Sequence, residues 1–268
     1  AQQQTLAQDV ANEVAQKISL RTTTLGTLAQ ALPLDLLDQP AALHDWLRER
    51  QALLPWLFNG LAVERSDGSI IAAYPPQPQG FQASASTQTP SGGEPVQIGL
   101  VEQVPALAMR AALPRTSGNT GWRLRGLSHV AVPGFLDTGG TRSNGKRGGT
   151  VLLFAKEQQL LMLSQPLVRL QPVPSGHAVL DQALAGQQLS FGPAKLLGQD
   201  VLAGASAVPG LAWSVLAYLP ADEAFLPVEN WVSFLRTTAP FVVLYFIVVI
   251  VLGTFFVLRN AWRTARLA

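Results

Sequence analysis

The sequence contains no cysteine and only three histidines among its 268 residues. Without cysteine the chain forms no disulfide, offers no thiolate nucleophile and builds no cysteine-ligated metal site. The histidines, His44, His129 and His177, stand far apart, and none has a second ligand at helical spacing. The sequence therefore indicates no metal site and no cofactor.

Charged residues are also few, at 13% of the chain, and they are unevenly distributed. All 17 acidic residues but only 16 of the 19 basic residues precede position 241, so that part has a net charge near −1. Arg259, Arg263 and Arg266 carry the excess at the C-terminus. The overall charge of +2 therefore reflects the tail and does not indicate binding to nucleic acid.

The motifs of common enzymes are incomplete. GASAV at 204–208 lacks the closing glycine of a nucleophile elbow, so we interpret Ser206 as a small strand residue. GTRSNGK at 140–146 has the glycine and lysine spacing of a P-loop, but Arg147 follows where the motif requires Ser or Thr at the start of a helix. We interpret that segment as a flexible basic loop and predict that the chain is not an enzyme.

One long apolar segment is present near the end of the chain. Residues 241–258 read FVVLYFIVVIVLGTFFVL, and the nearest charges, Arg236 and Arg259, bracket 22 uncharged positions. That length is enough for a helix to cross roughly 30 Å of hydrocarbon. A helix satisfies its own backbone hydrogen bonds in lipid, so we predict a transmembrane helix here.

Flanking charges predict the orientation of this helix. Basic residues cluster on its C-terminal side, so the positive-inside rule places the C-terminus in the cytoplasm and residues 1–235 in the periplasm of a bacterial inner membrane. The residues expected at the membrane interfaces are Trp231, Arg236, Arg259, Trp262 and Arg263. Because the chain starts inside a helical pattern, we expect an export signal or a first transmembrane helix before residue 1.

A helical pattern opens the chain. Apolar residues recur there every four positions, at Leu6, Val10, Val14 and Ile18. This spacing predicts one long helix over 2–32, ended by Pro33. So long a stripe favours packing both on its own domain and on a partner copy. A second helix is predicted over 40–54.

Strand patterns then follow twice in the same order. In the first half, Asp67-Gly68 between apolar runs signals a hairpin, and strand-like runs follow at 95–101, 105–113 and 121–132. After a glycine-rich linker, the second half has a hairpin over 150–164 and a helix at 176–185. Its last three strands are expected at 188–197, 199–208 and 211–219. Each half follows the plan of a five-stranded PAS-like sheet with a ligand pocket under the middle crossover.

Five residues on strands of the first half are candidate ligand contacts: Tyr74, Arg110, Trp122, Arg123 and Arg125. An arginine beside an aromatic ring fixes a metabolite that carries a carboxylate or an amine in a concave pocket. The alternative interpretation is a solvated strand face with Trp122 in the core. We interpret Trp213, in the second half, as a core residue.

Three stretches resemble Cache extracellular sensor domains. LAWSVLAYLPADEAFLP at 211–227 resembles the end of such a domain, where the last strand passes into the second membrane helix. The stretch 150–208, with QPLVRLQPVPSGHAVLDQALAG inside it, is similar to the membrane-proximal half of double-Cache sensors on bacterial diguanylate cyclases. SDGSIIAAYPP at 66–76 resembles the first hairpin of the distal half. The resemblance implies a dimeric sensor that binds a small metabolite, although the Arg-Trp-Tyr pattern of the amino-acid-binding subfamily is missing.

The combined prediction is an α+β chain in which a long N-terminal helix braces two PAS-like (Cache) antiparallel five-stranded sheets, followed by one transmembrane helix. The predicted divisions are a helical stalk at 1–55, a distal subdomain at 56–137, a linker at 138–149, a proximal subdomain at 150–220, a connecting helix at 221–239, the membrane helix at 240–258 and a cytoplasmic stub at 259–268.

The predicted function is the ligand-sensing and membrane-anchoring region of a receptor that controls a cytoplasmic diguanylate cyclase, and thus c-di-GMP signalling. The alternatives are the sensor of a histidine kinase or chemoreceptor, and a structural or protein-binding envelope component without a small ligand. The expected partners are a small metabolite or a periplasmic protein, the lipid bilayer and a second copy of the chain.

Overall fold

The computed structural model describes residues 2–55, 58–76, 81–83, 96–101, 103–114, 121–130, 147–163, 169–174, 176, 178–185, 189–196 and 198–265. For 81–83, 189–194, 226–233, 235 and 255–265 it describes the backbone alone. The chain divides into two compact units, Ala1–Pro220 and Ala221–Ala268. The predicted linker at 138–149 lies mostly outside the described residues, as do the segment 140–146 and His177.

The longest helix of the first unit is α1, Gln2–Ala31. Its buried face is an apolar stripe in which residues three or four positions apart lie on one side of the helix. The large members of this stripe are Val10, Val14, Ile18 and Leu25. The helix ends two residues before the first proline of the chain, Pro33, in agreement with the predicted helix at 2–32.

Two shorter helices connect α1 to the first strand. A 3₁₀ helix occupies Leu34–Asp38, and α2 occupies Pro40–Leu53. Proline is tolerated in the first turn of α2 because the backbone N–H it lacks has no partner within the helix there. The apolar side of α2 buries Leu43, Trp46 and Leu47.

The first sheet is entirely antiparallel, with the strand order β2-β1-β6-β5-β4-β3. Its strands are β1 Gly60–Glu64, β2 Ile70–Tyr74, β3 Phe81–Ala83, β4 Val96–Val101, β5 Val104–Ala112 and β6 Arg123–His129. The predicted hairpin at Asp67-Gly68 joins β1 and β2. Gly68 takes a left-handed conformation with φ of 85°, and Asp67 Oδ1 accepts a 2.8 Å hydrogen bond from the Ser69 N–H.

The second sheet has the strand order β10-β11-β12-β7-β8-β9 and is also antiparallel. Its strands are β7 Gly149–Phe154, β8 Gln159–Met162, β9 Leu170–Pro172, β10 Leu189–Leu196, β11 Gln199–Ala207 and β12 Trp213–Pro220. The helix α3, Ala178–Leu184, precedes β10, as the predicted helix at 176–185 requires.

The predicted architecture of one long helix, two antiparallel sheets and one apolar C-terminal helix is confirmed. The predicted count of five strands in each sheet is wrong for the second sheet, which has six. The first sheet has five longer strands and, in addition, the short edge strand β3. Both β3 and β9 are three residues long and lie at a sheet edge, so neither is long enough to produce a recognisable alternation. The boundaries of the separate subdomains remain predictions.

Helix α1 packs on one face of both sheets. Near its start it contacts β11 of the second sheet, where Gly204 lies against the backbone of Gln3 and Gln4. Towards its end it contacts the first sheet, where Leu25 and Phe58 lie over Gly126. A side chain at either glycine would collide with these atoms, so the missing Cβ permits the close approach of the helix.

The other face of the second sheet has a separate apolar core. Val151, Leu153, Met162 and Leu216 point to this side, and α3 covers them with Val179, Leu180 and Ala183. The first and second sheets therefore share a core along α1, whereas this second core belongs to the second sheet alone.

The second unit is one continuous helix, α4, Ala221–Ala265. It includes both the predicted connecting helix and the predicted membrane helix. By length and composition, Arg236–Thr254 is one segment of the described chain that is long and apolar enough to cross a membrane. Of the predicted interface residues, Arg236 is exposed. For Trp231, Arg259, Trp262 and Arg263 only the backbone is described, as part of this helix.

Candidate functional site

Four polar side chains form a row across the face of the first sheet that points away from α1. We call Glu64, Gln97, Arg110 and Arg125 the polar row. Arg110 on β5 pairs directly with Arg125 on β6, so both side chains lie on the same face. Ala62 on β1 pairs with the same Arg125, and Glu64, two residues further along β1, shares its side.

The row is joined by short contacts. Arg110 Nε lies 2.6 Å from Glu64 Oε1, and Arg110 Nη1 donates a 2.6 Å hydrogen bond to Gln97 Oε1. Arg125 Nη1 lies 3.4 Å from Glu64 Oε2. Each oxygen of one carboxylate therefore faces a different guanidinium, an arrangement of charge-assisted contacts that holds both arginines in place.

Glu64 and Arg125 of the polar row are buried, and Arg110 and Gln97 are partly buried. The side chain of Glu64 is 4% exposed, that of Arg125 8% and that of Arg110 19%. Burial lowers the pKa of Arg125, because removal from water disfavours the charged form; the charge of Glu64 opposes this effect and that of Arg110 adds to it. Ion pairs at such depth persist only with close partners, so Glu64 is the group that makes the two arginines tolerable here.

Small side chains surround the row. Ala62, Ala106 and Ala108 are fully buried and lie on the same face by strand register. The side chain of alanine is short, so the long side chains of the row extend further from the sheet than these neighbours do. Leu127, which is also buried, shares this face, so the row combines charged groups with apolar neighbours.

The other predicted contacts lie elsewhere. Arg123, the first residue of β6, pairs with Glu64 in register and shares its face. Tyr74 lies on the opposite side of the sheet, against the ring of His44 in α2 at 5.4 Å between centroids. Trp122 packs on the main core, with the guanidinium of Arg65 5.6 Å from its ring centre. The structure thus brings the arginines together and separates them from the two aromatic residues.

Sequence reasoning missed Glu64 and Gln97. Glu64 ends the apolar run GLAVE, and a carboxylate at that position predicts the start of a solvated turn. The parity of Glu64 within β1 was available from the sequence, but the pairing of β1 with β6, which brings Glu64 to the arginines, was not. Within the described residues, no group of three His, Cys, Asp or Glu side chains is placed to hold a metal ion.

Comparison with known proteins identifies the fold of the chain but no sequence family. No family model and no curated protein matches the sequence. Among solved structures, the extracellular domain of a protein named as the histidine kinase rpHK1S-Z16 matches with a TM-score of 0.61 and 13% identity, covering 84% of this chain and 95% of that chain. The chain has the fold of such receptor domains.

Two chemoreceptors are also similar in structure. The ligand-binding domain of the Pseudomonas aeruginosa PAO1 amino acid chemoreceptor PctB, in complex with L-Arg, has a TM-score of 0.55 and 18% identity over 87% of this chain and 90% of that chain. The ligand-binding domain of the Pseudomonas fluorescens chemoreceptor CtaA, in complex with L-leucine, has a TM-score of 0.51 and 16% identity over 82% of this chain and 93% of that chain. At these identities the likeness extends to the fold and no further.

Proposed function

We propose that the chain is the extracytoplasmic, ligand-sensing and membrane-anchoring region of a signal-transduction receptor. The observation that carries the proposal is the polar row, in which three charged side chains and one amide lie buried or partly buried on one face of a sheet, in a fold shared with ligand-binding receptor domains. The apolar stretch of α4 supports the anchoring part of the proposal.

The chemistry of the row indicates the class of ligand. A planar guanidinium such as that of Arg110 or Arg125 binds a carboxylate through two parallel N–H bonds, and the carboxylate of Glu64 accepts from an amine. We therefore propose a small metabolite bearing a carboxylate, an amine or both. Arg123, the first residue of β6, would extend the site along the sheet.

A second candidate function follows from the contacts within the row. Arg110 already has Glu64 and Gln97 as partners, so the row is also consistent with an internal brace in a domain that binds a protein or serves a structural role. The two functions differ in one measurable property, which is stabilisation by a small molecule.

The test is a thermal-shift screen of the full chain in detergent micelles against amino acids, organic acids and amines. A ligand that binds only the folded state raises the melting temperature with dose, because it adds RT ln(1 + [L]/Kd) to the stability. Arg110→Lys retains the charge but loses the fork, and we expect it to abolish the shift produced by a carboxylate. Arg48→Lys, at an exposed position on α2, is the matched control.

Two results would reject ligand sensing at the polar row. A cooperatively unfolding chain that no compound in the panel stabilises favours the structural or protein-binding role. A ligand that stabilises wild type and Arg110→Lys equally binds somewhere other than the polar row.

The finer parts of the proposal concern topology and output. We place the C-terminus in the cytoplasm because Arg259, Arg263 and Arg266 follow the apolar stretch; reporter fusions at each end of the chain check this. We propose a homodimer packed along α1, where Leu20 is an exposed apolar residue; light scattering of the micelle-bound chain measures its mass.

For the output we propose a diguanylate cyclase, on the likeness of residues 150–208 and 211–227 to double-Cache sensors. The structural neighbours include a histidine kinase and chemoreceptors, so these outputs are the alternatives. Cellular c-di-GMP, measured with and without a stabilising ligand in cells that express the receptor, distinguishes them: an unchanged level rejects the cyclase.

A further inference from the structure

A buried carboxyl lies where the two sheets meet. Glu157 is in the turn between β7 and β8 and is only 6% exposed. Beside it is a cavity of about 60 Å³, lined by Glu157 and Lys156, by residues 210–213 where the β11–β12 turn enters β12, and by Val96 at the start of β4 in the first sheet. Residues of both sheets therefore enclose this space.

One oxygen of this carboxyl is unsatisfied. Glu157 Oε2 is inaccessible to solvent and has no hydrogen-bond partner among the described residues. A buried polar atom without a partner is costly and calls for an explanation, and a charged one is costlier still. The cavity has room for a few water molecules but is too small for a metabolite of the class proposed for the polar row.

We propose that this cavity is a proton-binding site, in which Glu157 takes up a proton on acidification and thereby stabilises the junction of the two sheets. The neutral carboxyl fits this buried position, and the ionised one requires water in the cavity or an opening of the junction. The proposal goes beyond sensing at the polar row and needs no ligand there.

The surroundings of the carboxyl support this assignment. Burial raises the pKa of Glu157 above its ordinary value of 4.5, while its own backbone N–H and the charge of Lys156 lower it by less. Of the described residues that line the cavity, Lys156 is the single charged neighbour; Val96 and residues 210–213 contribute no titratable side chain. Lys156 itself is exposed, so its charge is screened by water.

The sign of the pH effect follows from linkage. A carboxyl whose pKa is higher in the folded than in the unfolded state binds its proton more tightly when folded. Its contribution is therefore most favourable at low pH and declines as the pH rises from the unfolded pKa through the folded one. Ionised Glu157 at the upper end of this range weakens the junction.

The experiment measures the melting temperature of the full chain in detergent micelles between about pH 5 and pH 8. We expect Glu157→Gln, which is neutral throughout, to melt at a higher temperature than wild type at the alkaline end. Within the titration range the difference should grow by roughly 3–5 °C per pH unit. Glu49→Gln, at an exposed position on α2, should track wild type at every pH.

A local signal provides a second measurement that does not depend on the folding of Glu157→Gln. Trp213 lines the same cavity, so its fluorescence should titrate in wild type with the protonation of Glu157, and Trp213→Phe supplies the background from the other tryptophans. Parallel melting profiles for wild type and Glu157→Gln, or a Trp213 emission that stays constant across the range, would overturn the proposal.

Discussion

The two sheets share an antiparallel plan of five strands, with a sixth, short strand at opposite edges, but the faces that they turn away from α1 have opposite characters. In the second sheet that face carries Val151, Leu153, Met162 and Leu216 under α3. In the first sheet the corresponding face carries the polar row, with buried alanines beside it. One backbone architecture thus supports an apolar core in one copy and a cluster of charged side chains in the other, so the character of the face depends on side chains rather than on fold.

The difference between the faces has an energetic side. Burial of leucine and valine stabilises the folded state by removing apolar surface from water, largely independently of which residues surround them. Buried charges gain it only through particular partners at particular distances, as between Glu64 and the two arginines. The first sheet should therefore be far more sensitive than the second to the loss of one polar side chain, and the following substitutions test that expectation.

The largest effect is expected for Glu64→Gln. The substitution removes the carboxylate and leaves Arg110 and Arg125 facing each other in a buried setting, which typically costs about 3–5 kcal/mol. The measurement is the free energy of unfolding by urea of the micelle-bound chain. Glu49→Gln, which removes an exposed carboxylate, should change it by less than about 0.5 kcal/mol. A loss for Glu64→Gln as small as that of the control would mean that water reaches the row.

An intermediate effect is expected where α1 meets each sheet. In Gly204→Ala the new Cβ would overlap the backbone of Gln3 and Gln4, whereas in Gly126→Ala it would lie 2.8 Å from the ring of Phe58. A ring adjusts more readily than a helix backbone, so Gly204→Ala should cost more, about 1–3 kcal/mol or above. The same unfolding measurement ranks the two variants.

Gly26→Ala is the control for these glycine variants. Gly26 lies inside α1 with no atom near its missing Cβ, so alanine should stabilise the helix by about 0.5–1 kcal/mol. Equal losses at Gly204 and Gly126 would show that the helix backbone adapts as easily as a side chain does.

The smallest effect is expected for Ser206→Ala. The Ser206 hydroxyl on β11 donates a 2.9 Å hydrogen bond to Gln8 Oε1 on α1, and both partners are neutral. Its loss should cost about 1 kcal/mol, well below the loss expected for Glu64→Gln. If the two losses are similar, the charged character of the polar row adds nothing to its stability.

Most of the secondary structure could be predicted from local patterns. The stripe of α1 and the Asp67-Gly68 hairpin depend on residues close in sequence, and both occur as expected. The edge strands β3 and β9 have only three residues each, and their pairing depends on the strand beside them. No pattern within such a short segment reports that neighbour.

The site was less predictable because it depends on strand register. Arg110 and Arg125 were identified by residue type, but their common partner Glu64 is 46 and 61 positions away in sequence and meets them only through β1–β6 pairing. Trp122 was grouped with Arg123 and Arg125 because they are neighbours in sequence. Side chains alternate along an extended chain, so Trp122 and these arginines do not share a side. Parity within one strand was available from the sequence, and the order of the strands was not.

Gly204 also has a mechanical consequence. The backbone of α1 rests directly on β11 at this point, and close-packed backbones do not slide past one another without losing that contact. On the first sheet, the ring of Phe58 and the side chain of Leu25 fill the contact at Gly126 instead. The helix is thus held by backbone contacts at Gly204 and by side-chain contacts at Gly126. If the two sheets move relative to each other, we expect the side chains at Gly126 to rearrange while the contact at Gly204 stays fixed.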